Sequence, residues 1–150
     1  MSRRSTAARV LGTVALAFAC AAPAGANPVG AIRVSNASSA FELAYAASAS
    51  TLGGYVTSDN APLATVPRQS TDAFTLASTS AQSLAGALIY RAAGDPAREC
   101  TFRYTLAFAG GRYTLVTDAR ASWTGQVTCA AAPSGFDKAK GDFSVTFTMK

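Results

Sequence analysis

Apolar and polar positions alternate with period two along most of the chain beyond its first 26 residues, and no long window keeps a helical stripe. Ile32 and Val34 share one face of a strand expected over 31–36. Phe41, Leu43 and Tyr45 share one face of 40–45, with Glu42 on the other. Between them Asn36-Ala37-Ser38-Ser39 has turn chemistry. Residues 46–71 are richer in Gly, Pro, Ser and Asp, which predicts loops around one short strand at Tyr55-Val56. Strands are expected at 71–78 and 84–92. The second is rich enough in alanine for a short helix to compete, and Ala93-Gly94-Asp95-Pro96 ends it in either case.

The clearest local pattern follows. Cys100, Phe102, Tyr104, Leu106 and Phe108 alternate with Glu99, Thr101, Arg103, Thr105 and Ala107, and Tyr113, Leu115 and Thr117 alternate with Arg112, Thr114, Val116 and Asp118 after Gly110-Gly111. Two glycines suit a two-residue primed turn. That turn pairs Phe108 with Tyr113, Leu106 with Leu115, Tyr104 with Thr117, and Arg103 with Asp118. A slip of one residue would lose both the apolar face and the opposite-charge pair. A further strand is predicted over 122–129, with Trp123, Gly125, Val127 and Cys129 on one face. A loop is predicted over 130–141 around Pro133-Ser134-Gly135-Phe136, and a last strand over 142–149 with Phe143, Val145, Phe147 and Met149 aligned. The fold class read from this spacing is all-β: a single-domain antiparallel β-sandwich or small barrel of about eight strands.

The first 26 residues are set apart from that fold. Arg3, Arg4 and Arg9 precede an apolar run from Val10 to Ala19, and Ala24-Gly25-Ala26 offers a small-residue cleavage site. This is the layout of a secretory signal peptide over 1–26, with the folded domain over 27–150. The apolar run is too short to span a bilayer comfortably, so no transmembrane helix is expected in the mature form. Cys20 follows Ala17-Phe18-Ala19, where a lipobox leucine would be displaced by one position. Its loss with the leader is therefore expected over lipidation.

Cleavage changes the charge balance. The 150 residues carry 13 Lys+Arg and 8 Asp+Glu, and removing three arginines leaves a mature net charge of 10 − 8 = +2. The remaining cations form no run, so nucleic-acid binding has little support. Cleavage also leaves Cys100 and Cys129 as an even pair in an exported chain. A disulfide between them is expected, and the address follows: periplasm, cell surface or medium.

Candidate chemistry is sparse. The chain has no histidine, which excludes His-dependent triads, His metal sites and imidazole switches. No serine lies three residues before a lysine, and Asn27 is an unsuitable N-terminal nucleophile. Carboxylate-pair hydrolysis would need two of Glu42, Asp59, Asp72, Asp95, Glu99, Asp118, Asp137 and Asp142 to converge. Most of these read as turn formers or solvent-facing strand residues. No catalytic residue, cofactor or metal ligand is assigned. Most aromatics fall on core parity, whereas Tyr55 and Phe136 sit in predicted loops, where ligand contact competes with covering the sandwich ends. Asn36-Ala37-Ser38 is a formal glycosylation sequon that reads more simply as a turn.

Two segments resemble known families. Ile32-Arg33-Val34-Ser35-Asn36 followed by Gly53-Gly54-Tyr55 resembles the aegerolysins, small β-sandwich proteins that bind membranes. The resemblance covers a small part of the chain and lacks that family's later glycine-rich motif. The segment from Gly141 to Met149 resembles the closing strand of chaperone–usher fimbrial subunits, without their early cysteine or terminal aromatic. The reading that emerges is an exported, non-catalytic binding module whose partner is a protein, a glycan or a lipid. Alternatives are a membrane- or glycan-binding module and a fimbria-like assembly subunit.

Overall fold

The computed structural model describes residues 27–57, 60–79, 83–122 and 126–150. The leader expected over 1–26, together with Cys20, lies outside the described residues, as do Asp59, Trp123 and Gly125. Ten strands follow in order: β1 (Val29–Asn36), β2 (Leu43–Tyr45), β3 (Tyr55–Thr57), β4 (Thr65–Val66), β5 (Ser70–Ser78), β6 (Leu84–Ala92), β7 (Asp95–Ala109), β8 (Arg112–Ala121), β9 (Cys129–Phe136) and β10 (Phe143–Met149). A 3₁₀ turn, Ala47–Ala49, follows β2. The strands form two five-stranded sheets, β3-β5-β1-β10-β9 and β4-β2-β6-β7-β8. The chain is thus a β-sandwich, and residues 84–92 form a strand, not a helix.

Alternation makes the two layers. Ile32, Val34, Phe74, Leu76, Phe143, Val145 and Phe147 point inward from the first sheet. Leu43, Leu88, Tyr90, Phe102 and Tyr104 meet them from the second, with Phe102 stacked on Phe147 at 4.9 Å. The β7–β8 hairpin has the expected register, Phe108 opposite Tyr113 and Arg103 opposite Asp118. Its turn glycines have φ of 59° and 77°, the left-handed conformation a primed turn requires. The ion pair differs from expectation: Asp118 bonds Arg120 at 2.7 Å, although Arg103 lies across from it.

Three features depart from the pattern reading. First, β1 and β10 run parallel at the centre of their sheet, so the sandwich is not wholly antiparallel. Second, β10 is paired on both sides, by β1 and β9. No place beside it is left for a strand from a neighbouring subunit, which removes the feature that suggested fimbrial assembly. Third, the strand predicted over 122–129 is displaced. Ser122 and 126–128 are not strand, and β9 runs through the segment expected to be a loop. Pro133 and Gly135 are tolerated there because β9 is an edge strand and its ladder with β10 is irregular at Ser144/Val145. Cys129 therefore opens a strand instead of closing one.

The covalent link survives that shift. Cys100 of β7 and Cys129 of β9 are joined, with Cα atoms 5.8 Å apart. The bond ties one sheet to the other at the edge where β8 and β9 are neighbours. At the same end of the sandwich, Asn36 is buried and its amide donates to the carbonyls of Phe41, Val66 and Pro67 at 2.9–3.2 Å. Its side-chain oxygen accepts the Ser38 N–H at 3.1 Å. The sequon asparagine is therefore a structural clasp for two loops, with its amide nitrogen fully engaged.

At the opposite end, Tyr55, Tyr104 and Phe143 pack edge-on and tilted within 5.6–6.0 Å of one another. Two glycines make room for them. A Cβ on Gly86 would overlap the Tyr104 ring directly across the β6–β7 ladder, and one on Gly30 would overlap Phe143 across β1–β10.

Candidate ligand-binding rim

The end of the sandwich holding this aromatic cluster gathers the starts of β1, β3, β6, β8 and β10 and the ends of β5, β7 and β9. Tyr55, read both as part of a short strand and as a loop aromatic, begins β3 as the first reading expects and is 3% exposed. It is a core residue, not a ligand contact, because Gly53-Gly54 turns the chain inward just before it. Phe136 is half-buried at the end of β9 and packs on the core, yet its exposed part walls two adjoining depressions.

The first depression, about 470 Å³, is lined by Val29, Ala31, Phe136, Asp137, Asp142 and Ser144 among others. It brings together two of the acids weighed for carboxylate chemistry. Both are engaged by backbone. Asp142 accepts the Val29 N–H at 2.9 Å, and Asp137 accepts those of Ala139 and Lys140 at 2.8 and 3.1 Å. The N–H bonds from Lys140 and Ala139 hold the Asp137 carboxyl below its ordinary range, with the Lys140 charge adding to them. The remaining described acids are elsewhere. Glu99 pairs with Arg91, Asp95 with Arg98 and Asp118 with Arg120, while Asp72 is buried and accepts the Leu63 N–H.

The Asp137 interaction has a definite sign. Because the folded carboxyl is more acidic than its ordinary 3.8, its contribution to the turn is complete above that value. It is lost as pH falls through the lowered folded value. Amide protection factors at Ala139 and Lys140 are therefore expected to fall on acidification below the ordinary carboxylate range. Asp137→Asn keeps an acceptor without the charge and should flatten that dependence. Protection in the parent protein that stays constant down to strong acid would contradict the assignment.

The second depression, about 350 Å³, lies on the other side of Phe136 along the seam between the edge strands β8 and β9. Arg112, Tyr113, Thr114, Leu115, Phe136 and Lys138 line it. The Tyr113 N–H donates to the Lys138 carbonyl at 2.8 Å, which fixes the β9–β10 turn against the start of β8. Gly141 lies so close to the Tyr113 ring that a Cβ there would touch it at 3.0 Å. Arg112, Lys138 and Lys140 are exposed, and none forms an ion pair among the described residues. Farther along this rim, Val29, Ala77 and Val56 lie in one outward row across β1, β5 and β3. Val29 and Val56 are 39% and 51% exposed.

Burial pushes the hydroxyls of Tyr55, Tyr90 and Tyr104 well above the ordinary phenol value, so all three stay protonated. Neighbouring tyrosines add to the effect at each, as does Asp142 at Tyr55 and Asp72 at Tyr90. Tyr104 donates to the Leu52 carbonyl at 2.9 Å. The rim can therefore offer cationic, hydroxyl and apolar contacts, with the phenols acting as packing groups. Arg112 and Lys138 were not singled out by sequence. Each reads there as an ordinary polar strand or loop residue, and only the closure of β8 against the β9–β10 turn brings them together.

Among the described residues no helix is long and apolar enough to cross a membrane. No protein-family model matches the chain, and no curated protein matches its sequence. Among solved structures the fold is similar to that of the lipid binding protein Nakanori, with a TM-score of 0.57 and 11% identity. The match covers 84% of this chain and 72% of that one. At that identity the likeness shows the fold.

Proposed function

We propose that the chain is an exported, non-catalytic β-sandwich module that binds a lipid surface through this rim. The observation that carries the reading is the composition of one end of the sandwich. Exposed Val29 lies beside an aromatic wall at Phe136, with exposed Val56 two strands away on the far edge of the same sheet, and beyond Phe136 stand cations without ion-pair partners among the described residues. Apolar groups that enter the headgroup layer and cations that face phosphate are the two elements of peripheral membrane binding. The fold shared with a protein described as lipid-binding supports the same reading, and the Cys100–Cys129 bond supports an oxidising destination.

The test is co-flotation of residues 27–150 with vesicles. Binding is expected to vesicles containing anionic phospholipid and to weaken as salt is raised. Val56→Asp, an exposed edge position, should weaken it about fivefold to tenfold by placing a charge where an apolar contact forms. Failure to float with either anionic or zwitterionic vesicles, alongside binding on a glycan array, would replace the lipid reading by a glycan one.

A further inference from the structure

We propose that the groove between Arg112 and Lys138 seats the phosphate of an anionic phospholipid headgroup, an inference that rests on the membrane reading and assigns it a site. Phe136 separates two depressions of opposite character. On one side, Asp137 and Asp142 have their carboxylates occupied by backbone N–H groups. On the other, Arg112 at the start of β8 and Lys138 in the β9–β10 turn face each other across the groove without an acidic partner among the described residues. Two cations left facing one small groove repel each other and lose energy that a shared anion returns.

Geometry adds to charge. The Tyr113 N–H to Lys138 carbonyl bond holds the two walls in register, so the groove is already formed before a ligand arrives. Thr114 supplies a hydroxyl, while Leu115, Tyr113 and Phe136 give the apolar surface that a glycerol backbone and the first acyl carbons would cover. At about 350 Å³ the depression has room for a phosphate with its glycerol substituents. The headgroup would therefore be held here, with Val29 meeting the bilayer across Phe136 and Val56 meeting it at the far edge of that sheet.

Two readouts separate this site from the membrane reading beneath it. The first is titration of the parent protein with soluble glycerophosphoglycerol, followed by amide shifts at Thr114, Phe136 and Lys138. The second is flotation with vesicles of phosphatidylcholine with and without phosphatidylglycerol. Arg112→Gln and Lys138→Gln alter exposed side chains and leave the Lys138 carbonyl in place. Each should reduce anionic-vesicle affinity about tenfold, as loss of a charge-assisted hydrogen bond implies. Arg103→Gln, at an exposed position in the middle of β7 opposite Asp118 and away from the rim, removes the same charge and should leave affinity unchanged. Headgroup shifts confined to the groove, together with this pattern, support the site. Vesicle binding that persists in both groove variants, with no headgroup shifts, overturns the site and leaves the membrane reading standing. Groove shifts without vesicle binding overturn the membrane reading and mark the groove as a site for a free phosphorylated solute. Absence of both overturns both.

Discussion

Replacing both Cys100 and Cys129 with alanine is expected to lower the unfolding free energy by about 3–4 kcal/mol, mainly by freeing the unfolded chain. The bond closes a loop of sequence separation 29 that contains all of β8. In the folded state it joins β7 to β9, strands of different sheets, at the edge where the sandwich would otherwise open. Alanine is the suitable replacement because Cys100 is fully buried and serine would add an unpaired hydroxyl. A loss of this size should lower the melting temperature by on the order of 10 °C. Amide protection should fall first along β9, an edge strand already interrupted by Pro133. A double variant that melts within a degree or two of the parent would show that packing between the sheets, not the cross-link, holds this edge closed.

What could be read from sequence, and what could not, follows from the range of each interaction. The β7–β8 hairpin is local, and its register was fixed by two glycines and an unbroken alternation on either side. The exchange of loop for strand after Ser122 has a different origin. Pro133, Ser134 and Gly135 carry strong turn signals, and only pairing with β10, a central strand, draws them into a ladder. The parallel pairing of β1 with β10 joins the two ends of the domain, and alternation carries no information about strand direction. The short strand expected at Tyr55-Val56 is β3, but the neighbouring Gly53-Gly54 makes Tyr55 read as a loop aromatic, whereas those glycines deliver it into the core. The candidate site was least legible. Phe136 reads from sequence as a loop aromatic, but Arg112 and Lys138 become neighbours only through the Tyr113–Lys138 backbone bond.

Gly86→Val is expected to cost at least as much as loss of the disulfide, about 3–5 kcal/mol, and to do so through one identifiable neighbour. Gly86 is the third residue of β6, inside the paired strand, where glycine is otherwise a poor strand former. Its partner across the ladder is Tyr104, whose ring lies over it. Tyr104 is fully buried, is packed against Tyr55 and Phe143, and donates its hydroxyl to Leu52. A side chain at Gly86 must displace that ring, and the whole rim-end cluster moves with it. The loss then includes the aromatic contacts, about 1 kcal/mol for the hydrogen bond, and the strain of repacking. Tyr104→Leu alone should also destabilise, by removing the ring and its hydroxyl. The two effects should not add. Once the ring is gone the space over Gly86 is open, so Gly86→Ala in a Tyr104→Leu background should cost much less than in the parent. Denaturant midpoints for the four members of the cycle measure that coupling directly. Additive costs would mean that the clash lies with the backbone, and that the glycine answers to something other than the tyrosine it faces.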